Sequence, residues 1–170
     1  LGRGLWLLDQ ADLVNLLCIP PLARGTDVGA ATWGAAIRYA RSRRAFVIVD
    51  PPAAWTSALA AIRGLGDTVD RDPNAALYVP RLLAPDPLTG NPSEAFAPCG
   101  AIAGIYARTD AARGVWKAPA GTHASLIGVH GLATQLSAAD CELLNQEGIN
   151  CLRSFPASGP VAWGSRTLEG

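Results

Sequence analysis

The residue types able to do acid–base or nucleophilic chemistry are few: Asp50, His123, His130, Cys18, Cys99, Cys141, Cys151 and scattered serines. A hydrolase on such a set needs a base beside an activated hydroxyl or thiol. No serine stands in a G-x-S-x-G elbow, and no G-x-x-x-x-G-K-[ST] loop is present. The single lysine, Lys117, lies between Trp116 and Ala118 instead of at a phosphate-cradling turn. Gly2-Arg3-Gly4 and Gly64-Leu65-Gly66 are too short to mark a nucleotide site. The four cysteines contain no C-x-x-C pair, and two histidines complete no zinc spacing. They read as buried free thiols with no metal or redox role, as in a reducing compartment. Asp50 follows an apolar run and precedes Pro51 and Pro52. Its carboxylate is expected to accept backbone N–H bonds at the entry to the next helix.

These residues must be positioned by a scaffold that the hydrophobic pattern outlines. Val14 to Ile19 is an apolar run ended by Pro20 and Pro21, and reads as a buried strand. Ala30, Trp33, Ile37 and Ala40 recur at helical spacing toward a basic end at Arg41, Arg43 and Arg44. Phe46 to Val49 is apolar at every position, as in a parallel strand covered on both faces. Trp55, Leu59 and Ile62 predict a helix that opens at the prolines and runs to about Gly64, and Ala76 to Val79 predicts the next strand. Strand, helix, strand, helix, strand is the order of an α/β fold with a mostly parallel sheet, flanked by helices and joined by right-handed crossovers.

Prolines at 80, 85, 87, 92 and 98 predict a long ordered loop from Pro80 to Pro98. A helix is expected from Gly100 to Arg108, with Gly100 and Gly104 allowing close approach to the sheet. Ser137-x-x-Asp140 predicts a capped helix to Gln146 that ends before Gly148. Ile149 to Phe155 and Val161 to Trp163 predict two final strands.

The 170 residues carry 14 basic and 14 acidic side chains, a formal net charge of zero, and 49% hydrophobic residues. This reads as one domain, residues 1–170, with a sizeable core. The charge balance argues against nucleic acid or an anionic membrane as partner, and no apolar run approaches the roughly 20 residues of a spanning helix. Leu1 stands where an initiator would, methionine is absent, and no export leader is visible; the chain reads as a fragment of a longer protein.

Four stretches taken together carry a resemblance. They are Phe46-Val-Ile-Val-Asp-Pro-Pro52, Ala84-Pro-Asp-Pro-Leu-Thr-Gly90, Gly104-Ile-Tyr-Ala-Arg-Thr-Asp-Ala-Ala-Arg-Gly-Val-Trp-Lys-Ala-Pro-Ala-Gly121, and Leu144-Asn-Gln-Glu-Gly-Ile-Asn-Cys-Leu-Arg153 followed by Trp163-Gly-Ser-Arg-Thr-Leu168. From about Asn15 to Leu168 the chain resembles the contractile tail sheath family of phages, R-type pyocins and extracellular contractile injection systems. The resemblance implies a sheath core of subtilisin-like topology without protease activity, and His130-Gly131-Leu132 departs from a protease histidine motif. It implies a structural subunit, not an enzyme, with no cofactor, polymerising helically around an inner tube and contracting to drive that tube through a target envelope. The implied partners are neighbouring sheath subunits joined by exchanged strands, the inner tube protein, and baseplate and cap proteins, with neither nucleic acid nor membrane insertion. Assembly would occur in the bacterial or host-cell cytoplasm, after which the subunit belongs to the particle. The N- and C-terminal regions would be missing here, so the fragment alone is expected to be soluble and largely monomeric.

Arg108, Asp110, Arg113, Trp116 and Lys117 crowd charge and an aromatic ring into one segment with Gly114, Pro119 and Gly121. Two readings stand: a subunit contact, for which Arg and Trp are usual anchors, or a self-contained loop pinned by an Arg–Asp pair with Trp116 over the core. Alternatives from other classes are a sheath-like cap or terminator, and a small α/β hydrolase or ligand-binding domain using Asp50, His123 and His130.

Overall fold

The computed structural model describes residues 3–90 and 92–170; Leu1, Gly2 of the short glycine run, and Asn91 lie outside the described residues. The continuous apolar runs become a central sheet in the order β1-β2-β3-β7-β8. β1 (Leu16–Cys18), β2 (Phe46–Val49), β3 (Ala75–Val79) and β7 (Ile149–Phe155) are mutually parallel, and β8 (Gly159–Ala162) returns antiparallel on β7. Successive side chains of a strand point to opposite faces, so the sheet divides the core. Val47, Val49, Ala75 and Leu77 pack under α1 (Ala30–Arg43), α2 (Ala58–Thr68) and α4 (Ala138–Gln146). Ile48, Ala76, Tyr78 and Leu152 pack under α3 (Cys99–Arg113) on the other face. That is why β2 and β3 carry hydrophobic residues at every position.

Helix ends follow their local chemistry. Ser137 and Asp140 exchange bonds in a capping box at the start of α4. α1 ends with Arg41 and Arg43 in its last turn, where cations meet the negative end of the helix dipole. α2 departs from expectation. It starts at Ala58 rather than at the prolines, because the Ser57 hydroxyl caps it by accepting the Ala60 N–H at 3.2 Å, and Trp55 lies outside it. It continues past Gly64 to Thr68 because Leu65 and Thr68 are buried beneath it.

The expected loop from Pro80 to Pro98 is instead a hairpin. β4 (Leu82–Pro85) and β5 (Ser93–Phe96) pair antiparallel around a single 3-10 turn at Pro87–Thr89, and β6 (Gly131–Leu132) joins the outer side of β4. Proline lacks a backbone donor but is tolerated at strand ends and edges, and Pro85 is the last paired residue of β4. The prolines therefore mark the ends of the strands and not their absence. A 3-10 segment at Gly4–Gln10, which the pattern did not predict, is held against α1 by Arg43, whose guanidinium donates to Leu8 O and Ala11 O.

Two ion pairs bind the hairpin to the segment after β1. Arg81 donates to Pro51 O at 3.1 Å, Arg24 O at 3.3 Å and Asp27 Oδ1 at 2.5 Å. Arg24 pairs with Asp86 and lies over the Phe96 ring. The Thr89 hydroxyl, then Arg24 and the Leu88 N–H, hold the Asp86 carboxyl below the usual carboxylate range. A carboxyl whose folded pKa is depressed contributes stability above its unfolded pKa, and loses it as pH falls through the folded value. Asp86→Asn should therefore lower the urea midpoint at pH 7, and its difference from the parent chain should be smaller in acid, as pH falls through the folded value. An equal gap at pH 7 and in acid would refute the assignment.

Candidate functional site

α3 is longer than the sequence pattern indicated, ending at Arg113 and not at Arg108. Arg108, Asp110 and Arg113 are therefore helical residues and not loop residues. Cys99, Ile102 and Ile105 form its buried stripe, and the Tyr106 hydroxyl meets that of Tyr78 at 3.0 Å. Burial pushes both phenols up. Gly100 and Gly104 lie on the exposed side with nothing within 4 Å of a Cβ at either position. They do not serve close packing on the sheet, contrary to expectation.

The helix stops at Gly114, whose φ of 93° is open to glycine at little cost. Lys117 N donates to Gly114 O at 3.0 Å, closing a turn that projects Val115 and Trp116. Trp116 is 84% exposed and folds back over Gly114, where a Cβ would meet its ring at 2.3 Å. The ring does not cover the core. No ion pair joins Asp110 to Arg108 or Arg113 among the described residues. The reading of a self-contained loop thus loses both of its supports.

Past the turn, the chain is anchored to the free edge of β8. Gly121 N donates to Ala162 O at 2.8 Å, Ala162 N to Ala124 O at 2.9 Å, and Leu126 N to Pro160 O at 2.9 Å. Arg108 ties this returning strand to α3 through Ser125 O at 2.7 Å. Between helix and loop lies a recess of about 300 Å³ lined by Arg108, Arg113, Lys117 and His123, with Thr109 at its wall. None of these four basic groups takes part in an ion pair among the described residues, although the chain as a whole is neutral. Asp110 does not line it. The arrangement is an unpaired basic recess beside an exposed aromatic knob. Arg offers a planar fork of donors and Lys a point charge, groups able to bind carboxylates.

Asp50, His123 and His130, considered together for catalysis, are not assembled. The Asp50 carboxylate accepts the Cys99 N–H at 2.7 Å, at the N-terminal end of α3 rather than of α2 as expected. His123 lies by the other end of that 15-residue helix, roughly 20 Å away. His130 is exposed beside β4, its backbone N–H donating to Leu83 O at 2.8 Å.

Sequence reasoning missed Asn150. It is fully buried in β7, donates to Leu77 O at 3.3 Å and Arg166 O at 2.8 Å, and accepts the Arg166 N–H at 2.7 Å. Gly164 packs against it so closely that a Cβ there would stand 2.6 Å from its Oδ1. Leu168 N then bonds Ala75 O at 2.8 Å. The Trp163 to Leu168 motif is therefore an extended segment stitched under the sheet. An amide between Ile149 and Cys151, in the apolar first half of β7, was the available signal.

The sequence pattern described as phage tail sheath protein central domain matches residues 14–168. Among solved structures, a chain of the anti-feeding prophage baseplate shares 28% identity with a TM-score of 0.70, over 96% of this chain and 40% of that one. The contracted helical sheath of the same prophage matches at 28% and 0.69, over 96% and 42%. The contracted sheath complex of the extracellular contractile injection system PVC matches at 31% and 0.63, over 74% and 33%. These are components of phage-tail-like particles, and this chain spans well under half the length of each. No curated protein matches the chain.

Proposed function

The chain belongs to the phage tail sheath family, and from that premise we propose that it is a structural subunit of a contractile injection sheath, polymerising helically around an inner tube and contracting to drive it through a target envelope. The observation that carries this reading is the match of the family pattern to residues 14–168, supported by similarity to sheath chains in a contracted state. A heterologous contact repeated by a non-closing rotation builds such a filament. Sheath neighbours, inner tube, baseplate and cap are its partners, and assembly in the cytoplasm precedes its place in the particle. The subunit is not an enzyme, and its topology is subtilisin-like without the protease; the wide separation of Asp50 and His123 supports this.

The subunit contact is the end of α3: Trp116 as apolar anchor, Arg113 and Lys117 as partners for carboxylates, and Arg108 holding the returning loop in place. Asp110 flanks it. Electron microscopy and sedimentation of the longer protein that contains this domain test the reading. Tubes that shorten on triggering are the expected result, whereas discrete particles under all sheath-forming conditions would overturn it.

A further inference from the structure

The four cysteines read as isolated in sequence, but Cys18 meets Cys99 in the fold, and Cys141 and Cys151 line one recess. The first pair joins different layers across 81 positions. Cys18 ends the edge strand β1 and is partly exposed, and its thiol donates to Cys99 O at 3.4 Å beside the Cys99 thiol. Cys99 opens α3 and is buried. Next to it is Asp50, 5% exposed, with Oδ1 on the Cys99 N–H and Oδ2 without any hydrogen-bond partner. A buried carboxylate oxygen left unpaired is costly, and here it borders a thiol.

We propose that Cys18 and Cys99 form a redox-active pair that hydroperoxides oxidise to an intramolecular disulfide, with Asp50 accepting the Cys99 proton. Cys18 is the attacked thiol because it is the accessible member of the pair, partly exposed at the sheet edge while Cys99 is buried. Its thiolate takes an oxygen from the hydroperoxide, the O–O bond breaks, and an alcohol or water departs, leaving a sulfenic acid. Asp50 then draws the proton from Cys99, whose sulfur attacks the Cys18 sulfur. The S–S bond forms as the S–O bond breaks, and the departing hydroxide leaves as water after recovering the proton from Asp50. With hydrogen peroxide the balance is two thiols and one peroxide to one disulfide and two waters. The bond would lock the sheet's edge strand to α3 when the protein meets an oxidising exterior. This inference does not depend on how the subunit assembles.

The full chain is treated with hydrogen peroxide, digested without reductant and mapped by mass spectrometry. Peptides linked through Cys18 and Cys99, lighter by two hydrogens and released by dithiothreitol, are expected, with a melting temperature raised by roughly 5 to 10 °C. Cys18→Ser should abolish the link, and Cys99→Ser should leave a Cys18 sulfenic acid that dimedone traps. Asp50→Asn, which keeps an acceptor for the Cys99 N–H, should slow closure by about a hundredfold without slowing sulfenic acid formation. A link between Cys141 and Cys151 instead, or Cys18 driven to sulfinic acid with no linked peptide, overturns the pair. Closure at an unchanged rate in Asp50→Asn overturns the part given to Asp50.

Discussion

Asn150→Ala should cost the domain about 3 kcal/mol, lowering its melting temperature by roughly 10 °C. Three hydrogen bonds are lost at once, to Leu77 O, Arg166 O and Arg166 N, in a place with no exposure to water. The side chain does for the segment after Trp163 what a neighbouring strand does for a strand: it supplies both a donor and an acceptor to the backbone of Arg166. Without it the segment must find water or detach, taking the fully buried Leu168 with it. Asn145→Ala is the internal comparison. Asn145 accepts only the Arg166 Nε–H, at 2.9 Å and in an exposed setting, so about 0.5 kcal/mol is expected there. Gly164→Ala should approach the Asn150 loss, because a Cβ would collide with the amide it serves. Urea unfolding of the three variants decides it, and equal losses at Asn145 and Asn150 would contradict the stitching role.

The second large effect concerns assembly. Trp116→Ala in the full-length protein should raise the concentration needed for sheath formation by about 30-fold or more, the value of a contact worth about 2 kcal/mol. The domain's own melting temperature should move by no more than about 1 °C, since the ring is largely exposed. Arg113→Ala should act in the same direction and more strongly at low salt, as a charge contact at an interface does. Arg108→Ala is expected to differ in kind. Its guanidinium holds Ser125 O, so it should lower the melting temperature of the isolated domain as well. Sedimentation of the assembling variants beside thermal melts of the domain separates these roles. Normal assembly of Trp116→Ala would leave the α3 end without a part in the lattice.

The places where sequence reading succeeded share a physical feature. β2 was legible to the residue, Phe46 to Val49, because a strand buried on both faces is apolar throughout and Asp50 with two prolines ends it. The α4 cap was legible because a capping box needs only two side chains three positions apart. α3 was cut short because its last two turns present Thr109, Asp110, Ala111 and Ala112 to a largely solvated side, where no apolar periodicity survives to mark a helix. The β4–β5 hairpin was hidden by its prolines, whose positions at strand ends are visible only once the pairing register is known.

An α/β domain with a mainly parallel sheet, and the places of most of its elements, could be read from the sequence, because burial patterns and caps act between residues close along the chain; the sheath family showed there only as a resemblance carried by four stretches. Only the tertiary structure decided that Asp50 caps α3 and not α2, that Arg81 holds Asp27 and Arg24 holds Asp86, and that His123 joins Arg108, Arg113 and Lys117 around one recess. It also decided that Cys18 lies beside Cys99, and that the Trp163 to Leu168 motif serves Asn150. Several of these partners lie 54 to 81 positions apart. Which charge or thiol meets which depends on the order and direction in which strands pair, and residue type alone carries no record of that path.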